Sequence, residues 1–112
     1  MICDDDIAIL EMVEIILEDT SFVVSTEADS RKLVQRLHEE NTELLLLDLW
    51  MPVISGEDIL KTIRTDPKLN NLKVIVMSAG RDAQTVAIGA GANKFIAKPF
   101  DIEDLIDQLE RL

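Results

Sequence analysis

The stretch Leu44-Leu45-Leu46-Leu47-Asp48-Leu49-Trp50-Met51-Pro52 combines an unbroken apolar run with a carboxylate and a proline. Four leucines are too few for a helix of ordinary length. Their lack of alternation suits a strand buried on both faces, as in a parallel sheet covered by helices. The run ends in Asp48, and Met51-Pro52 just beyond it stops regular pairing and opens a loop. Parallel βα sheets bind ligands outside the carboxyl ends of their strands, which is where this carboxylate is delivered.

Comparable short runs flank it at residues 1–3, 22–25, 74–77 and 95–97, and residues 44–47 make the fifth. Between them lie stretches of helical period. Ile9, Leu10, Val13, Ile16 and Leu17 mark one face of a first helix, and Leu33, Val34 and Leu37 a second. Ile59, Leu60 and Ile63 mark a third, an alanine-rich fourth covers about residues 82–88, and Ile102, Leu105, Ile106 and Leu109 give a fifth. Turn residues fall between them at Glu27-Ala28-Asp29-Ser30, Ser55-Gly56, Asp66-Pro67 and Gly89-Ala90-Gly91. The pattern predicts an α/β fold of five βα units, doubly wound around a five-stranded parallel sheet. The first strand has only three residues before the aspartates. Either it is short or the sequence opens inside it.

With 112 residues, 47% of them hydrophobic, the chain suits one domain spanning residues 1–112. Its 22 acidic and 11 basic residues give a formal charge of -11, which opposes binding to nucleic acid or to an anionic membrane. A single cysteine, Cys3, forms no internal disulfide, and Asp4-Asp5-Asp6 stands where a signal peptide would be basic and then apolar. These features predict a cytoplasmic protein without a membrane span.

Four expected strands end in polar groups at the same edge: Asp4-Asp5-Asp6, Asp48, Ser78 and Lys98. Carboxylates gathered in this way oppose each other's ionisation unless a cation sits among them. Mg²⁺, with Mn²⁺ as a substitute, takes oxygen ligands and phosphate together. Lys98 adds a fixed positive charge. The set suits phosphoryl transfer to a carboxylate, with Asp48 as nucleophile, the metal and Lys98 neutralising phosphoryl oxygens, and the Ser78 hydroxyl donating to another.

Cys3-Asp4-Asp5-Asp6, the leucine run through Pro52, Met77-Ser78-Ala79 and Ala97-Lys98-Pro99-Phe100 together resemble the motifs of bacterial two-component response-regulator receiver domains, chemotaxis regulators among them. The resemblance covers essentially the whole chain. It implies a flavodoxin-like sheet of order 2-1-3-4-5, Asp48 as phosphoacceptor, and Asp4 and Asp5 as an acidic metal-binding pair joined by Asp48 and the main-chain carbonyl of Trp50. It implies phosphate contacts from Ser78 and Lys98, a switch formed by Ser78, Ala79 and Phe95, and a cis peptide bond at Lys98-Pro99. It further implies a sensor histidine kinase or histidine phosphotransfer protein as partner, and phosphorylation-dependent homodimerisation as one form of output. The bulky Trp50 and Gly80, two residues past Asp48 and Ser78, depart from the pattern only in ways that bear on the lifetime of the phosphorylated state.

Two other functions compete. An aspartyl-phosphate hydrolase or mutase would share the nucleophile and metal, yet such enzymes resemble one another in a second aspartate two residues on, where this chain has Trp50. A degenerate receiver acting as a phosphorylation-independent protein-binding module would have lost Asp48, an acidic-pair member or Lys98, and all are present. Gly89-Ala90-Gly91 follows a helix and precedes a strand, so it reads as a helix cap and not a phosphate loop. Cys3 reads as a small core residue and His38 as a surface side chain.

Overall fold

In the computed structural model, residues 1–111 are described. The elements alternate as β1 (Ile2–Cys3), α1 (Ile7–Leu17), β2 (Thr26–Glu27), α2 (Ser30–Glu39), β3 (Leu44–Asp48), α3 (Gly56–Thr65), β4 (Lys73–Ser78), α4 (Ala83–Ala90), β5 (Lys94–Ala97) and α5 (Ile102–Glu110). All strand pairs are parallel, in the order β2-β1-β3-β4-β5.

The leucine run is buried on both sides because successive residues of a strand face opposite ways. Leu45 and Leu47 join Val74 and Val76 against Leu33, Leu37, Ile59, Leu60 and Ile63 of α2 and α3. Leu46 joins Ile75 and Met77 against Leu10, Val13, Leu105 and Leu109 of α1 and α5. Two cores therefore sandwich the sheet, α2, α3 and α4 on one face and α1 and α5 on the other.

The second strand departs from expectation. Phe22 to Ser25 alternates as a strand should, with Phe22 and Val24 packed inward and Val23 99% exposed, yet pairing begins only at Thr26. Register explains this. Ile2 pairs with Thr26 and Cys3 with Glu27, so residues 22–24 fall opposite positions ahead of Met1. An open groove of about 430 Å³ lies between them, Met1 and residues 41–44. The expected turn at Glu27 accordingly starts one residue later, with Asp29 capping α2 by accepting from Arg31 N at 3.0 Å.

Side-chain caps also start α1, α3 and α5, at Asp6, Ser55 and Asp101. Asp82, before α4, makes no such bond. The far end of α4 is fixed instead. Gly91 closes it at φ 112°, and its carbonyl accepts from Arg64 Nε at 2.8 Å. The same guanidinium donates to the Leu72 carbonyl at 2.7 Å and to Asn93 Oδ1 at 2.9 Å, while Asn93 Oδ1 also accepts from Val74 N at 2.8 Å. Among the described residues no helix is long and apolar enough to cross a membrane.

Candidate metal and phosphoryl site

The carboxyl ends of β1, β3, β4 and β5 bring four of the expected groups together. The aspartate triplet divides its work. Asp6 caps α1, accepting from Ala8 N at 3.0 Å, whereas Asp4 turns into the fold and is fully buried. Asp4 Oδ1 accepts from Asp6 N at 2.9 Å, and Oδ2 accepts from Lys98 Nζ at 2.7 Å. Lys98 also donates to Asp48 Oδ1 at 3.3 Å. Asp5 is exposed, but its carboxylate closes the group: oxygens of Asp4, Asp5 and Asp48 all lie within 4.8 Å of one another.

These charges set the acidities. Burial pushes the Asp48 carboxyl up to about 6, the Asp4 carboxylate adds to the rise, and Lys98 only partly offsets it. Burial by itself would lower Lys98, but its bond to Asp4 and the charges of Asp48 and Asp4 outweigh that and raise it. Three carboxylates and one ammonium leave a formal charge of -2 when all are ionised, which a divalent cation balances. Oxygen donors at this spacing fit Mg²⁺, a hard ion that keeps part of its water shell and takes phosphate oxygens.

Ser78 ends β4 fully buried, one residue past Met77, which pairs with Asp48. Its hydroxyl contacts the Ala79 carbonyl at 3.4 Å. Trp50 donates from its indole Nε1 to that same carbonyl at 2.9 Å. Phe95 lies on β5 opposite Val76, half-buried against the α2–α4 core. The Lys98-Pro99 peptide is cis. Cys3 is wholly buried beside Met51, and burial followed by the nearby carboxylates pushes its thiol up to about 12, leaving it inert. His38 pairs with Asp66 at 2.7 Å, away from the site.

Two residues that shape the site carry no signal in the sequence strong enough to single them out. Gly56, readable only as a turn glycine, donates its N–H to the Leu49 carbonyl at 2.8 Å, and a Cβ there would stand 2.2 Å from the Asp48 carbonyl oxygen. Nothing larger fits between α3 and β3. Ser30, at the start of α2, donates to the Pro52 carbonyl at 3.0 Å and accepts from Ile54 N at 3.3 Å. It thereby steadies a tight turn in which Ile54 N bonds back to the Pro52 carbonyl and Val53 takes φ 71°, a backbone that β-branched residues rarely adopt.

The chain is similar in sequence to the chemotaxis protein CheY of Pseudomonas aeruginosa, 31% identical over the whole of this chain and 93% of that protein. It is 33% identical to a CpxR homolog, a transcriptional regulatory protein of Haemophilus influenzae, but spans only 48% of that protein's length. Among solved structures, CheY4 of Vibrio cholerae superposes with a TM-score of 0.90 at 26% identity, covering 98% of this chain and 93% of that one. The receiver domain of NtrX from Brucella abortus gives 0.89 at 28% identity with the same coverage. A family model for the response regulator receiver domain matches residues 1–110, a span that takes in all five βα units and every group at the carboxyl edge of the sheet, and the chain belongs to that family.

Proposed function

We propose that the domain is a phosphorelay acceptor that takes a phosphoryl group onto Asp48 from a sensor histidine kinase or histidine phosphotransfer protein, in the cytoplasm. One observation carries the reading. Asp48 sits within 4.8 Å of two further carboxylates and 3.3 Å from Lys98, at the strand edge where parallel sheets bind ligands.

In the reaction, an Asp48 carboxylate oxygen attacks phosphorus and forms the P–O bond of an acyl phosphate, while the P–N bond to the donor histidine breaks and nitrogen keeps its electron pair. Asp4, Asp5, Asp48 and the Trp50 carbonyl would hold Mg²⁺, which when bound supplies charge neutralisation to the phosphoryl oxygens. Lys98 already reaches toward Asp48 and would transfer one of its hydrogen bonds to a phosphoryl oxygen. Ser78 would leave the Ala79 carbonyl for another, and Phe95 would turn inward beside Ala79, carrying the change to the surface as altered partner binding or homodimerisation. The domain is then no enzyme toward outside substrates, although its own residues would promote both gain and loss of the phosphoryl group.

The presence of Asp48, both members of the acidic pair and Lys98 weighs against the phosphorylation-independent binding module. Incubation with Mg²⁺ and acetyl phosphate should add one phosphoryl group, read by intact mass, and Asp48→Asn should abolish it. Full labelling of Asp48→Asn would overturn the assignment.

A further inference from the structure

The Ala79 carbonyl receives two donors, the Ser78 hydroxyl at 3.4 Å and the Trp50 indole N–H at 2.9 Å. The indole bond is of ordinary length, whereas the hydroxyl contact is long and weak. Trp50 is 52% exposed, so burial alone does not hold its ring in place. The bond to Ala79 ties it across to the loop that follows β4. Gly80 follows in the same loop with a φ of 115°, a backbone that glycine takes without strain. One side chain from the loop after the acceptor strand thus fixes a peptide in the loop after β4, next to the buried serine.

Resting on the reading of Asp48 as acceptor, we propose that Trp50 is a positioning residue for Ser78: its indole N–H holds the Ala79 peptide, and with it the resting direction of the Ser78 hydroxyl, against transfer of that hydroxyl to a phosphoryl oxygen. Ser78 and the Ala79 carbonyl are joined through one residue of main chain. A hydroxyl drawn toward Asp48 pulls on that peptide, and the indole bond resists. Removing the donor lowers the resistance and leaves the acidic residues untouched.

The chain has one tryptophan, so ¹⁵N labelling gives a single indole resonance. In the protein without added metal, that N–H should exchange with solvent measurably more slowly than a free indole; exchange at the free rate would overturn the bond itself. Trp50→Phe keeps an aromatic ring and loses the donor. With Mg²⁺ present it should bind beryllofluoride about three- to ten-fold more tightly than the parent, the scale of one hydrogen bond. Against a Ser78→Ala background the same substitution should change affinity less than two-fold. Equal or weaker beryllofluoride affinity in Trp50→Phe, or an equal gain in the Ser78→Ala background, would overturn the inference. Acetyl phosphate labelling of the parent tests the acceptor reading separately: a failure there removes the role of Asp48, whereas the indole exchange reports the Trp50 bond whether or not Asp48 is phosphorylated.

Discussion

Lys98 gives its shorter bond, 2.7 Å, to Asp4, a carboxylate with almost no solvent exposure. A cation entering the acidic cluster must therefore share Asp4 with an ammonium already seated on it. Lys98→Ala should bind Mg²⁺ about three- to thirty-fold more tightly, because it removes a competing positive charge. The same variant should be less stable without metal, by about 3 kcal/mol, since Asp4 and Asp48 lose their counter-charge in a buried setting. Mg²⁺ titrations and denaturant melts check both. Weaker Mg²⁺ binding in the variant would mean that Lys98 organises the carboxylates for the ion instead of competing with it.

Asp48 makes stability depend on pH in the opposite sense from a salt-bridged aspartate. Its pKa in the folded protein, about 6, lies above the 3.8 of an ordinary aspartate, so the native state binds the proton more readily than the unfolded chain. Its carboxylate costs stability in full above pH 6, and the cost fades as pH falls toward 4. The gap corresponds to about 3 kcal/mol at neutral pH as an upper figure. Asp48→Asn should then be the more stable protein at pH 7.5 without Mg²⁺, by about 1–3 kcal/mol, with the difference shrinking at pH 4.5 and on adding Mg²⁺. Urea melts at the two pH values measure this. A variant less stable than the parent at pH 7.5 would contradict it.

Gly56 permits α3 to sit directly on β3. Gly56→Ala places a methyl where the Asp48 carbonyl already stands, and the contact is with main chain that cannot swing aside. The variant should lose about 2–4 kcal/mol of stability through overpacking and also accept phosphate more slowly, as Asp48 shifts with its strand. Thermal melts and the time course of acetyl phosphate labelling would show it. Labelling at the parent rate would mean that α3 yields and β3 does not.

Phe95→Ala should still be phosphorylated on Asp48 but should lose most of the phosphorylation-dependent change in self-association or partner binding. Sedimentation with and without beryllofluoride reads this directly. Retention of the full change would reduce Phe95 to packing against the α2–α4 core.

Where the pattern of residues alone determined the outcome, the sequence was readable. The leucine run could face two cores only in a covered parallel sheet, and the polar groups at Asp4, Asp48, Ser78 and Lys98 then shared one edge through strand geometry. What escaped depended on register and close approach. The strand expected over residues 22–25 has the right alternation, but the register that sets Ile2 against Thr26 moves the pairing to Thr26–Glu27, and local sequence does not reveal register. Gly56 and Ser30 look like an ordinary turn glycine and an ordinary helix-start serine. Only the folded chain sets one on the Asp48 carbonyl and the other beneath Pro52. The Trp50 bond to Ala79 spans 29 residues and likewise has no local signature.

The Arg64 cluster gives α4 the mechanics of a lever. Its C-terminal end is pinned through Gly91 and Asn93 to the same guanidinium that grips the start of β4, while its N-terminal end, nearest Ser78 and Gly80, has no side-chain cap. A displacement at the Ser78 end of α4 should then be largest near Asp82 and smallest at Gly91, as a door swings most at the edge away from its hinge. Amide exchange should therefore rise from the Gly91 end of α4 to its Asp82 end, and Arg64→Ala should flatten that gradient by freeing the hinge.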